Sequence, residues 1–325
     1  MLQAVASVGQ NVWVAGQGGI WKSSDLGNSW NKQYESGDKY ISDIVFVDDQ
    51  SGWALEENTL LATTNGGDDW EAVYQWPDDV QDWGFVTREF GYVVSDSQLA
   101  LSQDGGRTWE TVTTPEPVER ACFSNPGVGW AIGRPAPAYA TAYVTFDGGT
   151  TWQESGKVPW IKRGEATLTP QSLGTPSCLS DGSALVMVSY GAGAGSEDWV
   201  LYKLTAESGW TEVTGRNDPA VDHTLAKSSV LLPFDTEGLL LTGESFNAVA
   251  VEGLQPGSTT WQSGYIDGQS YKLTRSRDHM LCCWPVAGDS NPDGSAWLII
   301  GHPRRTFLLY TEDSGNTWVR PNSPH

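Results

Sequence analysis

One short phrase recurs along the chain and ends each time in tryptophan: SSDLGNSW, TTNGGDDW, SQDGGRTW, TFDGGTTW and TEDSGNTW, closing on Trp30, Trp70, Trp109, Trp152 and Trp318. Two decayed copies, TAESGW and QPGSTTW, keep the residue at Trp210 and Trp261. Successive tryptophans stand 40, 39, 43, 58, 51 and 57 residues apart, the period of a repeat built from one supersecondary unit. A unit of that size cannot bury its own apolar face, so the copies must stack on one another.

Each clear unit reads as four short alternating runs bounded by Gly, Asn and Asp. In the second these are ISDIVFV, GWALEE, TLLATTN and DWEAVY. That is the pattern of antiparallel strands joined by tight turns. Seven such units predict an all-β chain, a seven-bladed β-propeller of four-stranded antiparallel blades. Residues 1–325 form one domain on this reading, with blades at about 1–36, 37–76, 77–115, 116–158, 159–215, 216–264 and 265–325. The longer units absorb insertions, such as Lys162–Thr169 and the Gly-rich GAGAG segment. The phrase itself is a hairpin between the third and fourth strands. Asp25, Asp104, Asp147 and Asp313, with Asn65 in the second copy, can accept hydrogen bonds from the amides of their own turn. The tryptophan that follows is expected to cover the outer end of the blade with its ring buried.

These boxes resemble the Asp-box, or bacterial neuraminidase, repeat. The phrases IVFVDDQSGWAL, WGFVTREFGYVV and ACFSNPGVGWAIG are also similar to those of the photosystem II stability/assembly factor family. Phe46, Phe85 and Phe123, with Trp53, Tyr92 and Trp130, occupy that family's pattern between the first two strands. The resemblance implies a seven-bladed propeller, and through the assembly factors it implies partner binding by an arginine patch.

The formal charge is −21, from 40 acidic and 19 basic side chains, a field that repels nucleic acid and anionic lipid. No run approaches the ~20 apolar residues needed to cross a bilayer, so no membrane insertion is expected. The opening MLQAVASVGQ reads as a first strand and not as a leader. The expected location is secreted, periplasmic or cell-surface after removal of a leader, with the cytoplasm as the alternative, and the expected state is a monomer. Cys122, Cys178, Cys282 and Cys283 show no metal spacing. Neighbours on a strand face opposite ways, which separates Cys282 from Cys283. Cys122–Cys178 is one of the pairings open to four cysteines, but buried free thiols are the expectation.

Catalytic signatures are missing. Sialidases that share the box carry an Arg-Ile-Pro phrase near the start, whereas the first arginine here is Arg88. Asp43, Asp82, Glu165 and Asp222 could lie near a channel mouth, as carboxylates that flank a glycosidic bond would. His223, His279, His302 and His325 have no recognised metal spacing. Asp289, Asn291 and Asp293, followed by Gly294, have the alternation of a calcium loop, but Ile300 stands where its twelfth-position Glu belongs. No other cofactor is expected. Arg120, Arg134, Arg163, Arg216, Arg304 and Arg305 fall on or near the loop face opposite the boxes, together with Trp76, Tyr139 and Trp160. Arginine suits forked recognition of carboxylates, and aromatics suit interface anchoring. The expected function is therefore a non-catalytic scaffold that binds a protein partner or assists complex assembly through that face. The alternative is a carbohydrate-active protein, a glycoside hydrolase or a glycan-binding module.

Overall fold

The computed structural model describes residues 1–133, 140–193, 196–213, 227–236, 238–245, 248–254, 261–274 and 281–324. Among these there is no helix. The fold is a seven-bladed β-propeller of antiparallel blades in which strands pair with their chain neighbours. Blade one holds β1 (Leu2–Val8), β2 (Asn11–Gly16), β3 (Gly19–Ser23) and β4 (Asn31–Tyr34). Blade two holds β5 (Ile41–Phe46), β6 (Gly52–Glu56), β7 (Thr59–Thr63) and β8 (Glu71–Gln75). Blade three holds β9 (Val80–Phe85), β10 (Gly91–Ser95), β11 (Gln98–Ser102) and β12 (Glu110–Thr111). Blade four holds β13 (Val118–Phe123), β14 (Gly129–Gly133), β15 (Thr141–Thr145) and β16 (Gln153–Lys157).

The later blades depart from the four-run pattern. An extra hairpin, β17 (Ile161–Arg163) with β18 (Ala166–Leu168), precedes blade five. In blade five the first strand is split into β19 (Pro170–Leu173) and β20 (Ser177–Cys178), both paired to β21 (Ala184–Gly193), followed by β22 (Ser196–Thr205) and β23 (Gly209–Glu212). Blade six runs β24 (Lys227–Phe234), β25 (Gly238–Ser245), β26 (Ala248–Leu254) and β27 (Trp261–Ile266), with a short fifth strand β28 (Leu273–Thr274). Blade seven has β29 (Trp284–Ser290), β30 (Ala296–His302) and β31 (Arg305–Thr311), and a bridge Tyr310↔Val319 supplies its outer row.

The chain forms two compact units, Met1–Gln75 with Pro219–His325, and Trp76–Asp218. In the first, Leu2, Val5, Val12 and Val14 of blade one pack on Trp297, Ile299, Leu308 and Tyr310 of blade seven. The terminal blades therefore meet face to face, with neither borrowing a strand from the other.

Packing between blades depends on one position near the end of each first strand. Phe46, Phe85 and Phe123 stand there, paired with Gly52, Gly91 and Gly129. A Cβ on those glycines would come within 2.6, 2.5 and 2.4 Å of the phenyl rings, so the ring lies directly on the glycine backbone. Each ring then meets the box tryptophan of its own blade edge-on: Phe46–Trp70 at 5.9 Å, Phe85–Trp109 at 6.1 Å and Phe123–Trp152 at 6.3 Å. Two of the rings also meet the second-strand aromatic of the preceding blade. Trp13 stacks on Phe46 at 3.6 Å, and Tyr92 lies 5.6 Å from Phe123. The indole N–H of Trp13 donates to Gly66 O of the next blade's box, and that of Trp130 donates to Gly182 O of the next blade's turn, both at 2.9 Å.

Where the phenyl is replaced by a smaller residue, a bond takes over. The equivalent positions are Ser7 (paired with Val12), Cys178 (paired with Ala184) and Ser290 (paired with Ala296). Ser7 donates its N–H and O–H to Asp289 Oδ2 at 2.6 and 2.7 Å. Cys178 is disulfide-bonded to Cys122, and Ser290 Oγ donates to Pro233 O at 2.8 Å. Asp289, Cys122 and Pro233 are themselves equivalent, each standing just before the hub residue of the adjacent blade. The disulfide corrects the expectation of free thiols at Cys122 and Cys178. Consecutive first strands bring their Cα atoms to 5.6 Å, within bonding range.

The box turns fold as the sequence predicts. Ser29 donates its N–H to Asp25 Oδ1 at 2.8 Å and its O–H to Asp25 Oδ2 at 2.6 Å, while Ser23 Oγ accepts the Gly27 N–H at 2.8 Å. Asp104 with Thr108, Asp147 with Thr151 and Asp313 with Thr317 repeat the pattern. Asn65 accepts the Asp69 N–H at 3.0 Å and donates its own amide to Asp69 Oδ2 at 2.9 Å. The rings are less covered than expected. Trp318 is buried, but Trp30, Trp70, Trp109 and Trp152 are half-exposed, because the turn shields only one ring face. The N–H groups of Trp109 and Trp318 close back on Gly106 O and Gly315 O, both at 3.0 Å.

Asp104→Ala removes an acceptor shared by several donors, so a loss of about 1.5–3 kcal/mol is expected in denaturant unfolding. Asp104→Asn, which copies the Asn65 turn, should lose less than half of that. Replacing both Cys122 and Cys178 with Ala should lower stability by about 2–4 kcal/mol. Thiol titration of the denatured, unreduced wild-type chain should count only Cys282 and Cys283.

Candidate functional site

A meander blade sends its box turn to one end of the sheet, and its second-to-third-strand turn and its link to the next blade to the other. In the unit of residues 1–75 and 219–325, that second end is built most fully at blade seven. The β30–β31 hairpin turns through Pro303 and Arg304, with His302 paired to Arg305. Trp284 pairs with Gly301, and a Cβ on Gly301 would lie 2.5 Å from Trp284 Nε1, so the indole rests on the glycine backbone and remains 40% exposed. Arg304 and Arg305 are exposed at the tip, with no ion pair among the described residues. Two exposed arginines and a half-exposed indole thus share one end of blade seven in a protein of net charge −21.

The same end gathers three further side chains. One ligand atom from each of Cys282, Cys283 and His302 lies within 4.8 Å of the others. Strand alternation would have parted the two cysteines, but Cys283 adopts a φ of +104° and breaks it. That conformation is costly for any residue with a Cβ. Burial, reinforced by the neighbouring Cys282 thiol, pushes the Cys283 thiol up to about 12, so the isolated thiol is not a nucleophile at neutral pH. The long 3.4 Å contact from Arg304 N–H to His302 Nδ1 leaves that imidazole nitrogen only weakly engaged. The Trp284↔Gly301 pairing, continued by one residue, puts Cys283 across from His302.

The other sequence-predicted residues scatter. Trp76 is a correction: it is 6% exposed and packs on Trp109 at 5.4 Å, so it is a core residue and not part of a surface. Trp160 is 45% exposed beside the β17–β18 hairpin, in the other unit. Arg163 ends β17, and its side chain lies outside the described residues. Arg134, Tyr139, Arg216, Asp222, His223, His279 and His325 also lie outside them. Arg120 sits within β13 and not in a loop, donating to Glu119 O at 2.9 Å and Gln81 O at 3.3 Å. Asp82 is buried and accepts the Ala121 N–H at 3.0 Å, tying β9 to β13. Glu165 is an exposed turn residue.

The calcium-type spacing resolves into separate structural contacts. Asp289 faces Ser7, Asn291 donates its amide to Ser7 Oγ and Ser295 Oγ, and Asp293 accepts the Ser295 N–H within its own turn. Asp289 and Asp43 carry the other perturbed charges. Asp43 follows a bulge in β5 and keeps part of its surface exposed, as Asp289 does. Burial lifts both carboxyls to about 6; for Asp43 the Ile44 N–H opposes the rise and the charge of Asp289 adds to it, and for Asp289 the Ser7 donors oppose it.

No family model matches the chain, and no curated protein does. Among solved structures it is similar to YCF48 bound to a D1 peptide, at 15% identity and a TM-score of 0.57, over 99% of this chain and 93% of that one. It is also similar to an ancestral GH74 enzyme, at 14% identity and a TM-score of 0.59, over 100% of this chain and 47% of that one. A third likeness is to the extracellular domain of a one-component system from B. thetaiotaomicron, at 13% identity and a TM-score of 0.54, over 99% and 38%. The chain spans about half the length of the enzyme and over a third of that extracellular domain. At such identities the likeness is one of fold.

Two sets of aspartates set opposite pH responses. The hydroxyl of Ser29, Thr108 or Thr151 holds Asp25, Asp104 and Asp147 below 3.8, and at Asp313 burial is overcome by the Thr317 hydrogen bonds. Their contribution is present above the ordinary carboxylate range and is lost as pH falls through the depressed values. Asp43 and Asp289 bind a proton more tightly when folded. The stability they add is complete below 3.8 and lost as pH rises through about 6. Thermal melting should therefore place the stability maximum near pH ~4, where the two ranges meet, with lower stability at pH ~7.5. Asp43→Asn should narrow the gap between the two pH values; an unaltered gap would assign the effect elsewhere.

Proposed function

We propose that the chain is a non-catalytic propeller scaffold that binds a protein partner through the sheet ends opposite the box turns. A carboxylate-bearing segment would engage Arg304 and Arg305 beside Trp284. The observation that carries this reading is the pair of exposed arginines, without an ion pair among the described residues, at the same sheet end as an exposed indole on an acidic protein. Such a combination is what interface anchors use, and the negative surroundings favour an oriented, local contact over a diffuse one. The fold likeness to a propeller bound to a peptide supports the reading, and so does the absence of sialidase motifs from the sequence. The Cys122–Cys178 disulfide favours an oxidising compartment, so we place the protein outside the cytosol, as a monomer.

The carbohydrate reading rests on the enzyme likeness alone. The first blade's Trp21 and Trp30 border an open cleft, but Lys32 lies over Trp21 at 5.0 Å and Asn322 O takes the Trp30 N–H at 2.8 Å. Both indoles are already engaged. A peptide array of acidic and carboxy-terminal segments is the direct test. Enriched peptides should lose at least tenfold in affinity, about 1.4 kcal/mol, with Arg304→Ala/Arg305→Ala and with Trp284→Ala, and should weaken with salt. A blank array beside turnover on a chromogenic glycoside panel would reverse the assignment.

A further inference from the structure

We propose that Cys282, Cys283 and His302 bind a soft d10 cation, Zn2+ or Cu+, at the end of blade seven. The donor set is the one such ions select, two sulfurs and an imidazole nitrogen, and carboxylates, which harder ions prefer, are absent from the cluster. The spacing is also suitable. Metal–sulfur bonds of about 2.3 Å and metal–nitrogen bonds of about 2.0 Å place tetrahedral ligands roughly 3.5–3.8 Å apart. The three ligand atoms already lie within 4.8 Å of one another, so small side-chain rotations close the site.

The backbone has been bent to bring these donors together. Cys283 holds a left-handed φ of +104°, where a glycine would be unstrained, and only this turn aims both adjacent thiols the same way. Binding releases two thiol protons and leaves a neutral Zn2+–dithiolate or an anionic Cu+–dithiolate. The Arg305 guanidinium, whose charge reaches Cys283, offsets the thiolate charge from outside the ligand set. The weak 3.4 Å contact at His302 Nδ1 gives way without loss of a strong hydrogen bond. Cys282 is exposed, so a fourth position faces solvent and gives the ion a way in. The site would clamp the start of β29 to the end of β30. It shares Arg305 with the proposed peptide face, and metal binding is read with no peptide present.

The test uses the full chain, chelator-treated under argon, with Co2+ as a spectroscopic probe. One equivalent should give a thiolate-to-cobalt charge-transfer band and the d–d absorption of a tetrahedral centre, both abolished by Zn2+. Cys282→Ala and His302→Ala should each weaken Co2+ and Zn2+ binding at least tenfold, while the metal-free variants melt as the wild type does. Competition with a Cu+-specific chelator then ranks the two ions. Absence of the charge-transfer band, unchanged affinity in Cys282→Ala, or an intact mass showing Cys282 joined to Cys283 as the stable resting form would each overturn the proposal.

Discussion

Everything in the fold depends on how one blade grips the next, and that grip is a phenyl ring seated on a glycine. With a Cβ at Gly52, Gly91 or Gly129 the ring would have to leave. Seated there, it holds its own box tryptophan edge-on, and Phe46 and Phe123 also receive the second-strand aromatic of the preceding blade. Aromatic pairs contribute about 0.5–1.5 kcal/mol beyond the area they bury, and each hub makes two or more of them. No blade is stable alone, so this term carries cooperativity as much as stability. The three blades without the phenyl show that the position itself is what matters. An aspartate–serine pair, a disulfide and a serine–carbonyl bond all join the same two sites on adjacent first strands.

Much of this was legible in the sequence, because both devices are local. The box fixes its own turn through an Asp with a hydroxyl four residues later, or through Asn65 with Asp69, so a reading of eight residues suffices. The Phe…Gly-Trp phrase lies across one hairpin, and it too can be found without knowing the fold. What escaped was non-local. Nothing adjacent to Cys178 announces that it stands where a Phe would, since the split first strand of blade five hides the register. Trp76 looked like a loop residue because it follows a strand and precedes Pro77, yet it folds inward onto Trp109. Cys282 and Cys283 were read by strand alternation, a rule that fails wherever φ turns positive.

The two ends of each blade have been put to different uses. At the box end the polar groups are spent on the turn: aspartate oxygens, serine or threonine hydroxyls and, for several, the indole N–H all find partners within a few residues. Little is left over there: among the described box residues, the indole N–H groups of Trp70 and Trp152 lack a partner. At the opposite end of blade seven the balance is reversed. Two guanidinium groups have no ion pair among the described residues, an indole rests flat on Gly301 with its other face open, and three soft donors converge. The tryptophans that organise the sequence are thus the residues least able to serve as its binding site.

The Asp289–Ser7 bond shows how electrostatics and architecture meet in the first unit. Asp289 is the only one of the three hub-replacing donors or acceptors that titrates, and it lies where the first and last blades join. A disulfide or a carbonyl would make the same join indifferent to pH. Burial raises the Asp289 carboxyl to about 6 and the charge of Asp289 adds to the rise at Asp43, so the join is more stable when these acids are protonated, although the Ser7 bonds themselves favour the carboxylate. Protonation removes a repulsion between the two acids while one Asp289 oxygen can still accept from Ser7. The contact between the first and last blades is therefore an inter-blade tie whose stability follows the proton concentration around it.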